Sequence, residues 1–130
     1  MPIVRVDIVK PKTKEYKRIL LDTIHNALVN CFKIPDEDRI QRICEIEKDD
    51  YEMKGRKTDD LTIIEISAFK GRSLDAKRAL YKEIVESLNK ELGIDKENII
   101  IIINEIEKEN MGARGGIPIS DVNLGFNINV

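Results

Sequence analysis

Pro2 is the residue of this sequence whose type and position best fit catalysis. A proline at position 2 permits removal of the initiator methionine, which leaves a free secondary amine at the start of a predicted strand. An N-terminal amine titrates at roughly 7.7–8.0 in model peptides, and burial beside cations lowers its pKa because the charged form is disfavoured. A base with a pKa near neutrality is suited to moving protons at carbon. Many chains begin Met-Pro for processing alone, so Pro2 by itself is a hypothesis.

Other familiar catalytic constellations are missing from the sequence. His25 is the single histidine and falls inside a predicted helix, where a structural role is expected rather than a place in a Ser-His-Asp triad. The GARGG run, Gly112 to Gly116, lacks the Lys-Ser/Thr ending of a P-loop and is interpreted as a turn. Cys31 and Cys44 have no partners at metal-binding spacing, so we expect neither a metal nor a cofactor.

The composition argues against several classes of partner. The chain has 130 residues and a net charge of −2, with basic and acidic side chains interspersed, which argues against nucleic-acid binding. No apolar stretch is long enough to span a bilayer, so we expect no membrane partner. Two free thiols and the lack of a secretory leader predict a cytoplasmic protein. The length predicts one domain over residues 1–130.

Hydrophobic periodicity predicts two consecutive β-α-β units. The four strands are predicted at Ile3–Val9, Ile40–Ile46, Thr62–Phe69 and Ile99–Ile106. Apolar residues at helical spacing predict a helix within each unit, with Thr13 and Ser73 as N-caps and Gly93 at the end of the second helix. The last strand opens with five isoleucines, and this lack of alternation predicts that it is covered on both faces.

The two units form a pseudo-repeat over residues 1–46 and 61–106. Ile3 corresponds to Thr62 and Ile40 to Ile99 at equal separations along the chain. The handedness of crossover connections makes the strand pairing parallel within each unit. The predicted fold class is therefore α/β (α+β), with a four-stranded sheet and two helices on one face.

The remaining segments predict how the sheet is completed. One sheet face is left without a helix but carries isoleucine and valine, so we expect it to meet another copy of the chain. The tail, 107–130, predicts a turn and then a short edge strand or hairpin, such as Leu124 to Val130, that could pair across an interface. The polar stretch from Glu47 to Asp60 predicts a surface loop, in which Tyr51 or Arg56 could belong to a lid.

Four groups of residues together resemble the tautomerase superfamily, and within it the malonate semialdehyde decarboxylase-like group. They are Met1-Pro2-Ile3; Phe32-Lys33-Ile34-Pro35 with Asp38-Arg39 and Gln41; Gly71-Arg72-Ser73 with Lys77 and Leu80-Tyr81; and Asn110 to Gly116 with Asp121 and Leu124-Gly125-Phe126. The resemblance covers nearly all of the chain. It implies a homotrimer of β-α-β-β-α-β subunits with the N-terminal proline at the floor of an active site near a subunit boundary.

The resemblance also implies roles for individual residues. Pro2 matches the catalytic proline, and Arg72 matches an arginine that holds the substrate carboxylate, for which a guanidinium beside a helix N-terminus is suited. Asp38 matches a carboxylate that orients or activates water and is the third catalytic candidate. Lys33 stands where some members place a lysine in the site, and Lys70, beside Arg72, is a further substrate-binding candidate.

These roles imply an enzyme, either an isomerase of the tautomerase type or a lyase of the decarboxylase type. Its substrate would be a small 2-oxo or 3-oxo acid or its enol. Deprotonated Pro2 would act as a base, whereas cationic Pro2 with Asp38 directing water would support hydration or decarboxylation. One alternative is a non-catalytic trimeric binding or structural module on the same scaffold. Another is a ferredoxin-like nucleic-acid binder, which the net charge and few aromatic residues argue against.

Overall fold

Residues 2–55 and 57–130 are described by a computed structural model, in which β-branched segments form the strands and amphipathic segments form the helices. The main elements are β1 (Ile3–Val9), α1 (Lys14–Phe32), β2 (Ile40–Ile46), β3 (Thr62–Phe69), α2 (Leu74–Leu92) and β4 (Ile99–Ile106). All four strands have the bounds that the sequence predicts. Neither helix in this part of the chain combines the length and apolar character needed to cross a membrane.

The helix ends are fixed by the predicted capping residues. The Thr13 Oγ1 accepts a hydrogen bond from the Tyr16 amide at 3.0 Å, and the Ser73 Oγ accepts one from the Ala76 amide at 3.1 Å. Gly93 ends α2 in the left-handed region with a φ of 68°. These bonds satisfy amides that have no intrahelical acceptor, so each helix starts at a defined residue directly after a turn.

The sheet has the order β2-β1-β3-β4, and its register repeats between the two units. Ile3 lies opposite Ile40 in the parallel β1–β2 pair, and Thr62 lies opposite Ile99 in the parallel β3–β4 pair. The two units join through the antiparallel β1–β3 pair, in which Ile3 faces Ser67. The predictions of parallel pairing within each unit and of a four-stranded sheet are confirmed.

Both helices pack on one face of this sheet. The buried cluster combines strand residues with one face of each helix, and its most enclosed members include Val6, Ile8, Ile64, Ile66, Leu20, Ile24, Leu28, Leu80, Ile84 and Leu88. Each of these side chains contributes about 1.5–3 kcal/mol relative to remaining exposed. The apolar spacing in the two helices therefore accounts for the layer that holds the units together.

The opposite sheet face is not covered within one chain. Ile100 and Ile102 of β4 are 38% and 40% exposed. Across the same face, Ile102 lies beside Glu65, and Arg5 lies beside Arg42. The prediction that β4 is covered on both faces is wrong for the single chain, because both helices pack against the same side.

The tail differs from the predicted edge strand at Leu124–Val130. A two-residue pair forms earlier, between β5 (Gly112–Ala113) and β6 (Ile117–Pro118), and the last residues lie against the turn between β3 and α2. Local side-chain bonds compete with strand pairing there: the Asn127 Oδ1 accepts from the Asn129 amide at 2.9 Å. The hairpin alternative is confirmed, and the Leu124–Val130 strand is wrong.

The loop from Glu47 to Asp60 has one short helical turn, at Lys48–Asp50, and otherwise no regular structure among its described residues. Tyr51 is half-buried in this loop, and burial, with a smaller contribution from the charge of Asp7, raises the pKa of its hydroxyl. Arg56, the other residue suggested for a lid, lies outside the described residues.

Candidate functional site

One edge of the sheet collects the chain segments that carry the predicted catalytic residues. Because Ile3 lies opposite both Ile40 and Ser67, the start of β1 meets the start of β2 and the end of β3. Pro2 immediately precedes β1 and is buried at this edge. Met1 lies outside the described residues, and its removal remains a prediction.

Arg72 is the most unusual side chain at this edge. It is only 6% exposed, and its guanidinium lies 4.9 Å from the centroid of the Phe32 ring. Its Nη1 donates to the Phe69 carbonyl at 3.2 Å, whereas its Nε and Nη2 are enclosed and find no acceptor among the described residues. A buried cation with unused donors is costly, so this group is suited to receiving an anion.

The environment of Arg72 also shifts its ionisation. Burial lowers the pKa of Arg72 from its ordinary value, and the negative charge of Asp38 opposes that shift. Arginine remains protonated at physiological pH, so the shift expresses the free-energy cost of enclosing the charge. Asp38 is therefore close enough to act on the guanidinium electrostatically, and the structure brings these two predicted residues together.

The tail passes over the turn that carries Arg72. Gly71 has a φ of 140°, and a Cβ placed on it would lie 2.8 Å from the Asn129 Oδ1 and 2.9 Å from the Ile128 carbonyl oxygen. The Ser73 hydroxyl donates to the Val130 carbonyl at 2.9 Å. The turn between β3 and α2 thus requires glycine at position 71, because the tail passes directly over it.

Asp38 lines a cleft of 190 Å³ beside this enclosed cation. The other lining residues are Pro35, Glu37, Arg114, Leu124 and Phe126. Phe126 also packs against the buried cluster that contains Phe32, whose ring lies beneath Arg72. The cleft and Arg72 therefore share a neighbouring charge, that of Asp38, and both adjoin the apolar cluster that contains Phe32.

The duplicated unit provides an internal comparison for Arg72. Lys12 precedes the cap of α1 as Arg72 precedes the cap of α2, and it is also largely buried, with 13% of its side chain exposed. However, the Lys12 Nζ donates to the Val9 carbonyl at 3.0 Å and to the Asp59 carbonyl at 3.3 Å. The residue before the strand is Leu61 in the second unit and Pro2 in the first. Pro2 and Arg72, whose Nε and Nη2 donors are unused, thus occur at the same edge of the sheet.

The two lysines predicted to bind substrate lie apart from the cleft. Lys33 is exposed at the end of α1, with a φ of 57°. Lys70 is exposed, forms an ion pair with Glu107 at 2.7 Å and lines a separate cavity of 260 Å³. The structure groups neither lysine with Asp38, so their roles in substrate binding remain predictions.

His25 has the structural surroundings expected of it. It is buried, and its Nε2 lies 2.9 Å from the Asp36 carbonyl oxygen, to which it donates as the Nε2–H tautomer. This contact joins α1 to the segment that leads into β2. In residues 2–55 and 57–130, no three His, Cys, Asp or Glu side chains are grouped so that they could hold a metal ion.

Sequence reasoning missed two residues at this site. Arg114 was included in a glycine-rich turn, yet its side chain lines the cleft. Phe32 was noted only within the family pattern, and its ring contacts the Arg72 guanidinium. An arginine between glycines is the one signal that could have drawn attention to Arg114; nothing in the sequence pairs Phe32 with Arg72.

Comparison with known proteins agrees with this geometry. The probable tautomerase YusQ of Bacillus subtilis (strain 168) is 26% identical over 121 residues, which cover 89% of this chain and 95% of that protein. A structure of malonate semialdehyde decarboxylase has a TM-score of 0.82 at 20% identity and covers 93% of this chain and 99% of its own. A fused 4-OT symmetric trimer has a TM-score of 0.80 at 21% identity, with 91% and 96% covered. At these identities the two solved structures show a shared fold.

Two family models place the chain among known enzymes. A model described as tautomerase enzyme matches residues 38–114, and a second with the same description matches residues 2–60. The first match spans more than half of the chain and includes Asp38, Arg72 and Arg114. The resemblance inferred from the sequence is confirmed, and the chain belongs to the tautomerase enzyme family.

Proposed function

We propose that this enzyme transfers a proton within small 2-oxo acids or their enols, with Pro2 as the acid–base group and Arg72 as the carboxylate-binding group. The observation that carries the proposal is the buried guanidinium of Arg72, whose Nε and Nη2 have no acceptor among the described residues, at the sheet edge where Pro2 is also buried. A substrate carboxylate supplies the missing acceptors in a fork geometry.

The proposed reaction needs the free amine that removal of Met1 produces. The neutral Pro2 nitrogen takes the proton of the enol hydroxyl, and the C–O bond becomes a carbonyl as the carbon–carbon double bond shifts. The protonated Pro2 nitrogen then delivers a proton to the neighbouring carbon, which regenerates the neutral amine. Arg72 stabilises the negative charge on the intermediate, and its own positive charge favours the neutral form of Pro2.

A second reaction on the same site is hydration or decarboxylation of a small 3-oxo acid. It is favoured by Asp38, whose carboxylate lines the cleft and acts on Arg72. With Pro2 protonated, Asp38 would orient water while Pro2 acts as the acid. The solved decarboxylase of similar fold is described as having decarboxylase and hydratase activities. The turn between β3 and α2 holds a single arginine, Arg72, and so offers one guanidinium for the substrate carboxylate, which makes proton transfer within the substrate the first expectation.

The active form that we propose is a homotrimer. The uncovered sheet face exposes Ile100 and Ile102, and a similar fold, fused 4-OT, has been solved as a trimer. Assembly would remove these side chains from water. The two cysteines are free thiols, which fits a cytoplasmic location.

Replacement of Pro2 tests the proposed function. Pro2→Ala keeps a small residue after Met1, so processing is preserved and is verified by the mass of the N-terminus. We expect ketonisation of the enol of phenylpyruvate to slow by at least about 100-fold, since a positioned acid–base group contributes on the order of 10²–10⁴. Pro118→Ala, at an exposed proline of the hairpin, is the matched control and should retain the wild-type rate. A wild-type rate in Pro2→Ala would overturn the role of Pro2, whereas no ketonisation by the wild type above the uncatalysed rate would favour the non-catalytic binding module instead.

A further inference from the structure

Arg114 occupies a turn whose backbone favours glycine. It lies between β5 and β6 with a φ of 52°, and the next two residues, Gly115 and Gly116, have φ values of 84° and 98°. A non-glycine residue in this region costs about 1 kcal/mol relative to glycine. The structure thus contains a guanidinium at a position where the backbone alone would favour a residue without a side chain.

The side chain of Arg114 supplies the positive charge of the cleft beside the catalytic edge. Arg114 lines this cleft together with the acidic residues Glu37 and Asp38 and the apolar residues Leu124 and Phe126. Arg114 makes no hydrogen bond or ion pair with another residue in the described ranges. The cation that lines this cleft, Arg114, therefore has all its guanidinium donors available to bind an anion.

The charges of this cleft bear on an anionic substrate. Asp38 lines the cleft, and its negative charge also acts on the Arg72 guanidinium, so the cleft is the route by which we expect an acid to reach Arg72. Glu37 lines the same cleft and is exposed. Its carboxylate repels an incoming anion over distances of roughly a Debye length, about 8–10 Å at physiological ionic strength. A cation in the same cleft offsets this repulsion.

We infer that Arg114 is a specificity-determining residue that admits carboxylate substrates by offsetting the charge of Glu37 at the cleft entrance. This inference rests on the proposed function, because it assigns the entrance of the same site. Arg114 acts on capture of the acid, whereas Arg72 holds the acid during the reaction. Loss of Arg114 therefore affects kcat/KM and its salt dependence more than kcat.

Steady-state kinetics with the enol of phenylpyruvate test this role. Arg114→Gly removes the guanidinium and suits a φ of 52°, so the turn is retained. At low ionic strength we expect kcat/KM to fall by about ten-fold, with most of the loss in KM, and the loss to shrink as salt is added. Arg114→Lys should regain much of the loss. Arg78→Gln removes a cation that pairs with Asp75 on the surface of α2, and this control should leave both constants unchanged.

A second substitution distinguishes charge compensation from a structural role. If Arg114 offsets the charge of Glu37, Glu37→Gln should raise kcat/KM of Arg114→Gly by several-fold and should raise that of the wild type less. A structural role for Arg114 predicts no such rescue. Equal kcat/KM losses at low and high salt, or a Glu37→Gln variant without rescue, would overturn the inference.

Binding of an unreactive acid separates this inference from the proposed function. Calorimetric titration with 3-phenylpropanoate requires no turnover, and we expect Arg114→Gly to weaken it by about ten-fold at low salt. If the wild type binds this acid in an Arg114-dependent manner but turns over no enol, the proposed function fails and the entrance role stands. If enol turnover depends on Pro2 but neither kcat/KM nor acid binding depends on Arg114, the entrance role fails alone.

Discussion

Arg72 concentrates the chemistry of this site in one buried cation. Its Nη1 is held by the Phe69 carbonyl, and the face of its guanidinium is held by the Phe32 ring, so the side chain is fixed before a ligand arrives. The remaining donors are enclosed and are available to a carboxylate. A fixed donor pair loses little entropy on binding, which favours a planar acid over a flexible or neutral ligand.

The contact between Phe32 and Arg72 predicts a loss of ligand affinity when the ring is removed. Phe32→Leu should weaken binding of 3-phenylpropanoate by about five-fold, because a cation–π contact contributes roughly 0.5–2 kcal/mol. Phe69→Leu is the matched control: its ring is equally buried, in the second apolar cluster. Calorimetry and thermal unfolding should show similar stability losses in both variants but weaker binding only in Phe32→Leu. Equal affinities would show that the ring does not position Arg72.

At the residue scale, the sequence predicted which side chains have suitable chemistry better than it predicted the contacts that these side chains make. Pro2 and Arg72 could be selected because a secondary amine at a chain start and an arginine before a helix cap are local features. The contact of Phe32 with Arg72 joins the end of one helix to the start of the other, and no local pattern encodes it. Lys70 follows β3 more closely than Arg72 does, yet its side chain pairs with Glu107 and does not line the cleft.

At the scale of elements, the turn from β3 to α2 and the tail form one unit. The tail ends on this turn: the Val130 carbonyl accepts from the Ser73 hydroxyl, and Ile128 is buried beside Phe69. The strand and helix bounds follow from periodicity and caps, which are properties of neighbouring residues. The path of the tail depends on contacts with a turn 57 residues earlier in the chain. Hydrogen bonds among its asparagines replace strand pairing, so the sequence pattern did not predict this path.

Gly71 provides a test of this unit. Gly71→Ala places a Cβ within 3 Å of two tail atoms, at a φ that disfavours alanine, so the tail must shift. We expect a loss of roughly 1–3 kcal/mol in stability and faster hydrogen exchange at the Ser73 and Asn129 amides. Gly93→Ala has a φ of 68° but no atom within 4 Å of the added Cβ, so it should cost about 1 kcal/mol without releasing the tail. Unchanged exchange at Ser73 in Gly71→Ala would contradict the coupling.

At the scale of the whole molecule, the duplicated fold contains two similar sheet edges with different chemistry. At one edge the cation before the helix cap is Lys12, which is satisfied by backbone carbonyls, and the residue before the strand is Leu61. At the other edge these positions hold Arg72 and Pro2. The repeat could be predicted from matching residues, whereas the difference between the edges required the hydrogen bonds of each cation. One chain therefore provides one candidate catalytic edge.

The uncovered sheet face is the surface through which we propose that these chains assemble. Ile102 is 40% exposed and lies beside Glu65 in the β3–β4 register, so Ile102→Lys places a cation next to a carboxylate and keeps the single chain folded. A buried charge at an interface is costly, so we expect this variant to elute as a monomer where the wild type is a trimer, as measured by light scattering. Leu74→Lys, at a residue 60% exposed at the start of α2, is the control and should remain trimeric. A trimeric Ile102→Lys variant would show that the chains associate through another surface, and the exposed isoleucines would then need a different partner.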